Sequence, residues 1–189
     1  GFRITYDTSK VCFISKVNSS TSFGVVTATG GTPSNEASAV TVNSIAADYA
    51  SLSAAEAGAS DSTHLNTSDL TSGSYILNLV CYAGVSADTS ACTIDGYTTS
   101  ADYYINIYTP NSVTQSISSN RHVGAWDSTK YVLSVENTST VIVGLRLSEE
   151  YTNVTGIQIS VTATGPDARG NSDGIYIEPS GTSVINITS

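Results

Sequence analysis

Basic residues are scarce in this chain of 189 residues: seven Lys and Arg stand against 16 Asp and Glu, giving a formal net charge of −9. Affinity for nucleic acid and for anionic membranes comes largely from Lys and Arg neutralising phosphate, so neither partner is expected. Methionine is absent, and a first residue other than Met reads as a processed, mature chain. No apolar run reaches the roughly 18 residues that a membrane-spanning helix requires. Chemistry-bearing motifs are equally sparse. His64 and His122 lie far apart, without a Cys or acid at metal-ligand spacing, and the cysteines form no Cys-x-x-Cys pair. A Gly-x-Ser-x-Gly elbow is missing. The adjacent carboxylates Glu149 and Glu150 point to opposite faces if they lie on a strand. The expectation is a protein that is not an enzyme and that needs no cofactor or metal.

Charged residues make up only 12% of the chain and hydrophobic ones 40%. Disorder pairs low hydrophobicity with high net charge, so this composition argues for a packed core. Hydroxyls supply most of the remaining polarity, and secretion to an extracellular or cell-surface location is the natural reading. Asn18, Asn66, Asn137, Asn153 and Asn186 each begin an Asn-x-Ser/Thr sequon, making them glycosylation candidates, with glycans as a further partner. Of the three cysteines, Cys81 and Cys92 flank a turn-rich segment that can bring them within disulfide reach. Cys12 pairing with one of them, bonding to another subunit, or lying buried as a small hydrophobe are the alternatives.

Short β-branched runs dominate the pattern. Tyr104–Ile107, Tyr131–Val135, Val141–Leu145 and Val154–Ile159 read as strands separated by Ser/Thr/Asn/Gly turns, and such coils stack into a solenoid. Residues 1–44 form a separate N-terminal β block or exchange arm, with strands over Phe2–Tyr6, Val11–Val17, Phe23–Ala28 and Ala39–Val42. Residues 45–189 form the second domain. It opens with a short helical cap at about 46–58, marked by a Ser53-Ala-Ala-Glu56 capping box and by a stripe of Ile45, Tyr49, Leu52, Ala55 and Ala59. The fold class expected is all-β: a short right-handed parallel β-helix (β-solenoid) with that cap and the extra N-terminal block.

Four segments carry a resemblance: Tyr49-Ala-Ser-Leu-Ser-Ala, the run from Cys92 to Pro110, Arg121-His-Val-Gly-Ala-Trp-Asp-Ser-Thr-Lys-Tyr131, and Glu150 to Ile159. Over about residues 45–180 they resemble the N-terminal portion of secreted right-handed parallel β-helix (pectin-lyase-like) repeat proteins. The resemblance implies the fold far more than a function, since that group mixes lyases, hydrolases, tailspikes and adhesins. Polysaccharide-cleaving relatives use carboxylates with Arg, which draws attention to Asp167, Arg169 and Asp173, although the same residues suit a polar surface turn. Among 11 tyrosines, Tyr97, Tyr103, Tyr104 and Tyr108 cluster; packing in the core or on its flank is the expected fate, and an exposed aromatic row that stacks on sugar rings or on another subunit is the alternative. His122 and Trp126 read as packing a long loop against the flank.

Function is expected to follow from the ends of the solenoid. Val184, Ile185 and Ile187 form an apolar edge without a charged or proline-rich stop, of the kind proteins normally block. Phe2, Ile4 and Tyr6 alternate on the N-terminal block. These six residues are the expected assembly interface of a self-assembling homopolymer, an extracellular filament in which subunits stack head to tail by strand or cap exchange. A carbohydrate-binding or polysaccharide-cleaving domain is the alternative.

Overall fold

The computed structural model describes residues 1–112, 120–137, 142–164, 172–178 and 184–188. Over these residues the chain is mostly β, and neither of its helices is long and apolar enough to cross a membrane. Strands β1 (Phe2–Tyr6), β2 (Lys10–Ser19), β3 (Ser22–Val26) and β4 (Val42–Ala47) come first, then helices α1 (Leu52–Gly58) and α2 (Leu70–Gly73). Nine strands follow: β5 (Leu77–Val80), β6 (Cys92–Ile94), β7 (Ile105–Tyr108), β8 (Val132–Asn137), β9 (Ile142–Leu147), β10 (Thr152–Thr155), β11 (Gln158–Ala163), β12 (Ser172–Ile177) and β13 (Ile185–Thr188).

Strands β1 to β4 form an antiparallel sheet in the order β3-β2-β1-β4. Central β1 buries Ile4 and Tyr6 with Cys12 of β2, and Ile14 packs against them. Phe2 is half-buried, its ring 4.6 Å from that of Tyr82 at a steep angle. The alternation of Phe2, Ile4 and Tyr6 is therefore spent inside the chain. This corrects the expectation that they form an assembly interface, because a strand paired on both sides has no main-chain groups to offer a neighbour.

The remaining strands form three sheets whose pairings are all parallel: β13-β10-β7-β5, β11-β8 and β12-β9-β6. From β7 onward the chain visits them in the repeating order first, second, third, first. Registers place like positions above one another. Leu77, Ile105, Thr152 and Ile185 are mates in the first sheet, as are Leu79, Ile107, Val154 and Ile187. Leu133 and Val135 stack on Ile159 and Val161 in the second, and Leu145 and Leu147 on Ile175 and Ile177 in the third. Alternate residues of a strand face one side, so each column lines a single core. Full burial of each such side chain contributes about 1.5–3 kcal/mol.

The boundary near residue 44 is corrected, because β4 crosses it and belongs to the N-terminal sheet. Ile45 is accordingly 47% exposed on a strand rather than part of a helical stripe. The helix expected over 46–58 is confined to 52–58. Its cap is Ser51, whose hydroxyl accepts from Ala54 N–H at 3.0 Å, and not Ser53 with Glu56. Leu52, Ala55 and Ala59 pack on the core beside β5 and β6. The strand expected over Val154–Ile159 is split by Gly156, whose φ of 70° turns the chain between β10 and β11. Val141 lies outside the described residues.

Tight stacking in the third sheet yields a test. A Cβ at Gly144 in β9 would sit 2.7 Å from Ile159 Cγ2 and 2.9 Å from the Gly174 carbonyl, whereas one at Gly174 meets nothing closer than 3.8 Å. Gly144→Ala should cost about 1–3 kcal/mol in denaturant unfolding, as overpacking does. Gly174→Ala should be near neutral, and equal losses would contradict this packing.

Candidate functional site

Three features outside the core proper stand out. The first is the outer layer formed by β11, β12 and β13. Leu147 is 0% and Val154 1% exposed, yet their register mates Ile177 and Ile187 are each 48% exposed. Val184 is exposed as well, and Ile185 is half-buried against the core. Among the described residues nothing covers the layer on its far side. Val184, Ile185 and Ile187, the expected edge, lie in this layer, and Ile175 and Ile177, not singled out from the sequence, lie in it too.

The second is a cleft of about 820 Å³ that runs along β5. Residues 13–15 of β2 and 26–30 at the end of β3 and beyond it form the opposite wall, and Tyr49, His64, Tyr82, Tyr108 and Tyr131 contribute polar aromatic surface. At one end the Asp48 carboxylate receives Arg3 at 3.1 Å and His64 Nε2 at 2.6 Å. Thr63 Oγ1 lies 3.0 Å from His64 Nδ1. Tyr49 Oη is 3.1 Å from Nδ1 and 3.3 Å from Nε2, so it faces the carbon between them and is poorly aligned with either. Asp48, barely accessible, orients the imidazole and ties the segment around residue 64 to the crossover after β4. No sequence motif marks this pair, since 16 positions separate its members.

The third is a column of carboxamides on the outward face of the first parallel sheet. Asn78, Asn106, Asn153 and Asn186 are register mates. Asn106 Nδ2 donates to Asn78 Oδ1 at 3.0 Å, and Asn186 Nδ2 to Asn153 Oδ1 at 2.8 Å. The apolar-Asn-apolar triplets over 77–79, 105–107 and 185–187, with Thr152-Asn-Val154 between them, carried the signal for it. Asn153 and Asn186 are also sequon residues, and their side chains serve this ladder. Of the other sequons, Asn66 stands on an exposed turn at φ 55°, Asn18 on exposed β2, and Asn137 at the exposed end of β8.

The tyrosines form no exposed row, and Tyr103 packs against the core as Tyr97 does. Tyr97 is buried, donating its hydroxyl to the Glu56 carbonyl at 2.8 Å, and Tyr108 lines the cleft. Asp173 is half-buried on β12, while Asp167 and Arg169 lie outside the described residues. Trp126 is 59% exposed and so does not pack a loop down. Nor are Cys81 and Cys92 joined: they and Cys12 are buried free thiols. Both Cys81 and Cys92 belong to the main core cluster, filling apolar positions as small hydrophobes do.

Two predictions follow from these burials. Desolvation pushes the Cys81 thiol up to about 12 and raises those of Cys92 and Cys12. The thiolate is the nucleophile, so iodoacetamide should label none of the three in native protein and all three in denaturant without reductant. Two blocked cysteines in denaturant would restore the disulfide. Burial likewise raises the Glu56 and Glu149 carboxyls above the usual carboxylate range, with Glu149 accepting Tyr97 N–H at 2.7 Å. A carboxyl raised on folding stabilises the fold while protonated. That contribution is present below the unfolded value of about 4.3 and is lost as pH rises through the folded value. Glu56→Gln with Glu149→Gln should flatten the corresponding decline of Tm with pH, and an unchanged profile would refute the assignment.

Compared with known proteins, the chain matches no protein-family model, no curated protein and no solved structure.

Proposed function

We propose that the three parallel sheets are the walls of a short right-handed parallel β-helix, capped by α1, and that the protein is a secreted structural subunit whose copies stack head to tail into an extracellular filament. One observation carries the reading: Ile177 and Ile187 occupy columns whose preceding members are fully buried, yet both are half exposed. A layer built to core specification and left open gains most from a cover. At about 25 cal/mol per Å², covering a few hundred Å² is worth several kcal/mol. Among the described residues the two ends differ, one carrying α1 and the N-terminal sheet and the other strands alone, so the contact is heterologous and does not close on itself. The right hand of the proposed helix is the one expected, since parallel crossovers take that hand in nearly all sheets. Exposed sequons at Asn18, Asn66 and Asn137 suit a glycosylated surface polymer.

The cleft favours a second reading, a carbohydrate-binding domain. Tyr82, Tyr108 and Tyr131 offer aromatic faces there, as sugar-binding sites do.

Sedimentation and electron microscopy of the purified chain test the filament. Unbranched fibres of uniform width are expected, and Ile177→Lys with Ile187→Lys should leave the circular dichroism unchanged while abolishing them. Wild-type protein that remains monomeric at every concentration, or a double variant that polymerises normally, would refute the proposal. Monomers that bind polysaccharide would establish the second reading instead.

A further inference from the structure

The outer edges of the four-stranded parallel sheet are complementary to each other. Strand β5 is paired on one side only, and the amides of Leu77 and Cys81 donate to the Tyr104 and Tyr108 carbonyls. Successive residues of a strand direct their main-chain groups to opposite sides, so those of Asn78 and Val80 face the cleft. Among the described residues strand β13 is paired with β10 alone, where the Val184 and Thr188 carbonyls accept from Thr152 and Gly156. The main-chain groups of Ile185 and Ile187 therefore face outward.

Every pairing in this sheet is parallel, so along each interface both strands donate amides and accept with carbonyls. Amides of β5 donate to carbonyls of β7, those of β7 to the Tyr151 and Thr155 carbonyls, and those of β10 to the carbonyls flanking and within β13. A further strand beyond β13 must offer carbonyls to Ile185 and Ile187, which is what Ile76 and Asn78 on the outer edge of β5 present. The carboxamides bond in two pairs of the same direction, Asn106 donating to Asn78 and Asn186 to Asn153. Asn186 Oδ1 is left as the acceptor end of the ladder. At the other end Asn78 Nδ2 has only a long 3.3 Å contact to the Ile76 carbonyl. The cleft gives this edge room, with the N-terminal sheet on its far side.

We propose that the cleft along β5 receives β13 of a second copy, which adds as a parallel strand with Asn186 opposite Asn78, so that the sheet and its column of carboxamides continue across the junction. This rests on the head-to-tail reading and names the surfaces it uses. Strand addition supplies main-chain bonds for affinity, and the Asn pair fixes the register, since a slip by one residue would set Asn against Leu or Ile.

Cysteine pairing between copies tests it. Asn78→Cys and Asn186→Cys proteins, both substituted at exposed positions, are prepared separately, mixed and mildly oxidised, with the buried native thiols as the internal blank. A covalent dimer is expected in the mixture and in neither variant alone. Val80→Cys with Thr188→Cys, the next mates in the same register, leaves the ladder intact and should behave alike. Fibres that form while neither pair cross-links would overturn this junction and leave head-to-tail stacking standing. Dimers from a single variant would show a two-fold contact and overturn it too. Absence of any self-association would overturn both.

Discussion

Parallel strands held in register carry like side chains directly above one another, and this constraint governs the rest of the molecule. Each inward column, such as Leu79, Ile107, Val154 and Ile187, is continuous apolar surface only while the strands keep step. A shift of one residue would replace the column with Asn106, Asn153 and Asn186, turning amides inward and Ile outward. The exterior ladder and the interior columns thus enforce the same register from opposite faces. Where a polar residue does enter the core, its group is satisfied locally. Thr109 is fully buried, and its hydroxyl donates to the Gly156 carbonyl at 2.7 Å.

Keeping step demands corners that turn without loosening the stack. Gly156 supplies one by its positive φ. The carbonyl of Thr109 is held there by Arg121 at 2.9 Å, and a side chain at 156 would strike that guanidinium. Gln158 supplies another bond set, accepting from the Asp127 amide and donating to the Asp127 and Tyr131 carbonyls. These polar anchors hold irregular segments against the strands, which spares buried main-chain groups from lacking partners.

The sequence made strand content legible through β-branching and short turn-separated runs. Most expected strands lie within a few residues of observed ones, as with Phe2–Tyr6, which coincides with β1. Two kinds of information were not legible. Tertiary pairing overrode local preference at Ile45-Ala-Ala47, where the expected start of the helical cap is drawn into the sheet by β1. Burial was ambiguous in the same way: an alternating strand such as Phe2-Arg-Ile-Thr-Tyr6 looks identical whether its apolar face meets its own chain or another. The Cys81 and Cys92 assignment failed because spacing constrains whether two thiols can meet and says nothing of whether the core needs them as apolar fillers. The Asp48–His64 pair left no signal, since it joins two loops. The amide ladder did leave one, visible only when the triplets are aligned with each other.

The unequal ends follow from this reasoning. A column needs a neighbour on both sides, and at the β5 and β6 end α1 provides it with Leu52, Ala55 and Ala59, small and branched side chains that fit over strands. The cap is anchored by the Asp88 carboxylate, which accepts the Leu52 amide at 2.7 Å and the Tyr131 hydroxyl at 3.1 Å, linking helix, turn and second sheet in one network. At the far end no comparable element is present among the described residues, although Ile159, Val161 and Ile175 continue the same columns and are half-buried. An apolar layer with ordered main-chain edges is a template for one kind of surface, another layer of the same spacing and polarity. On the proposed head-to-tail reading, the first sheet carries a matching edge at its own other end, and a second copy supplies that layer.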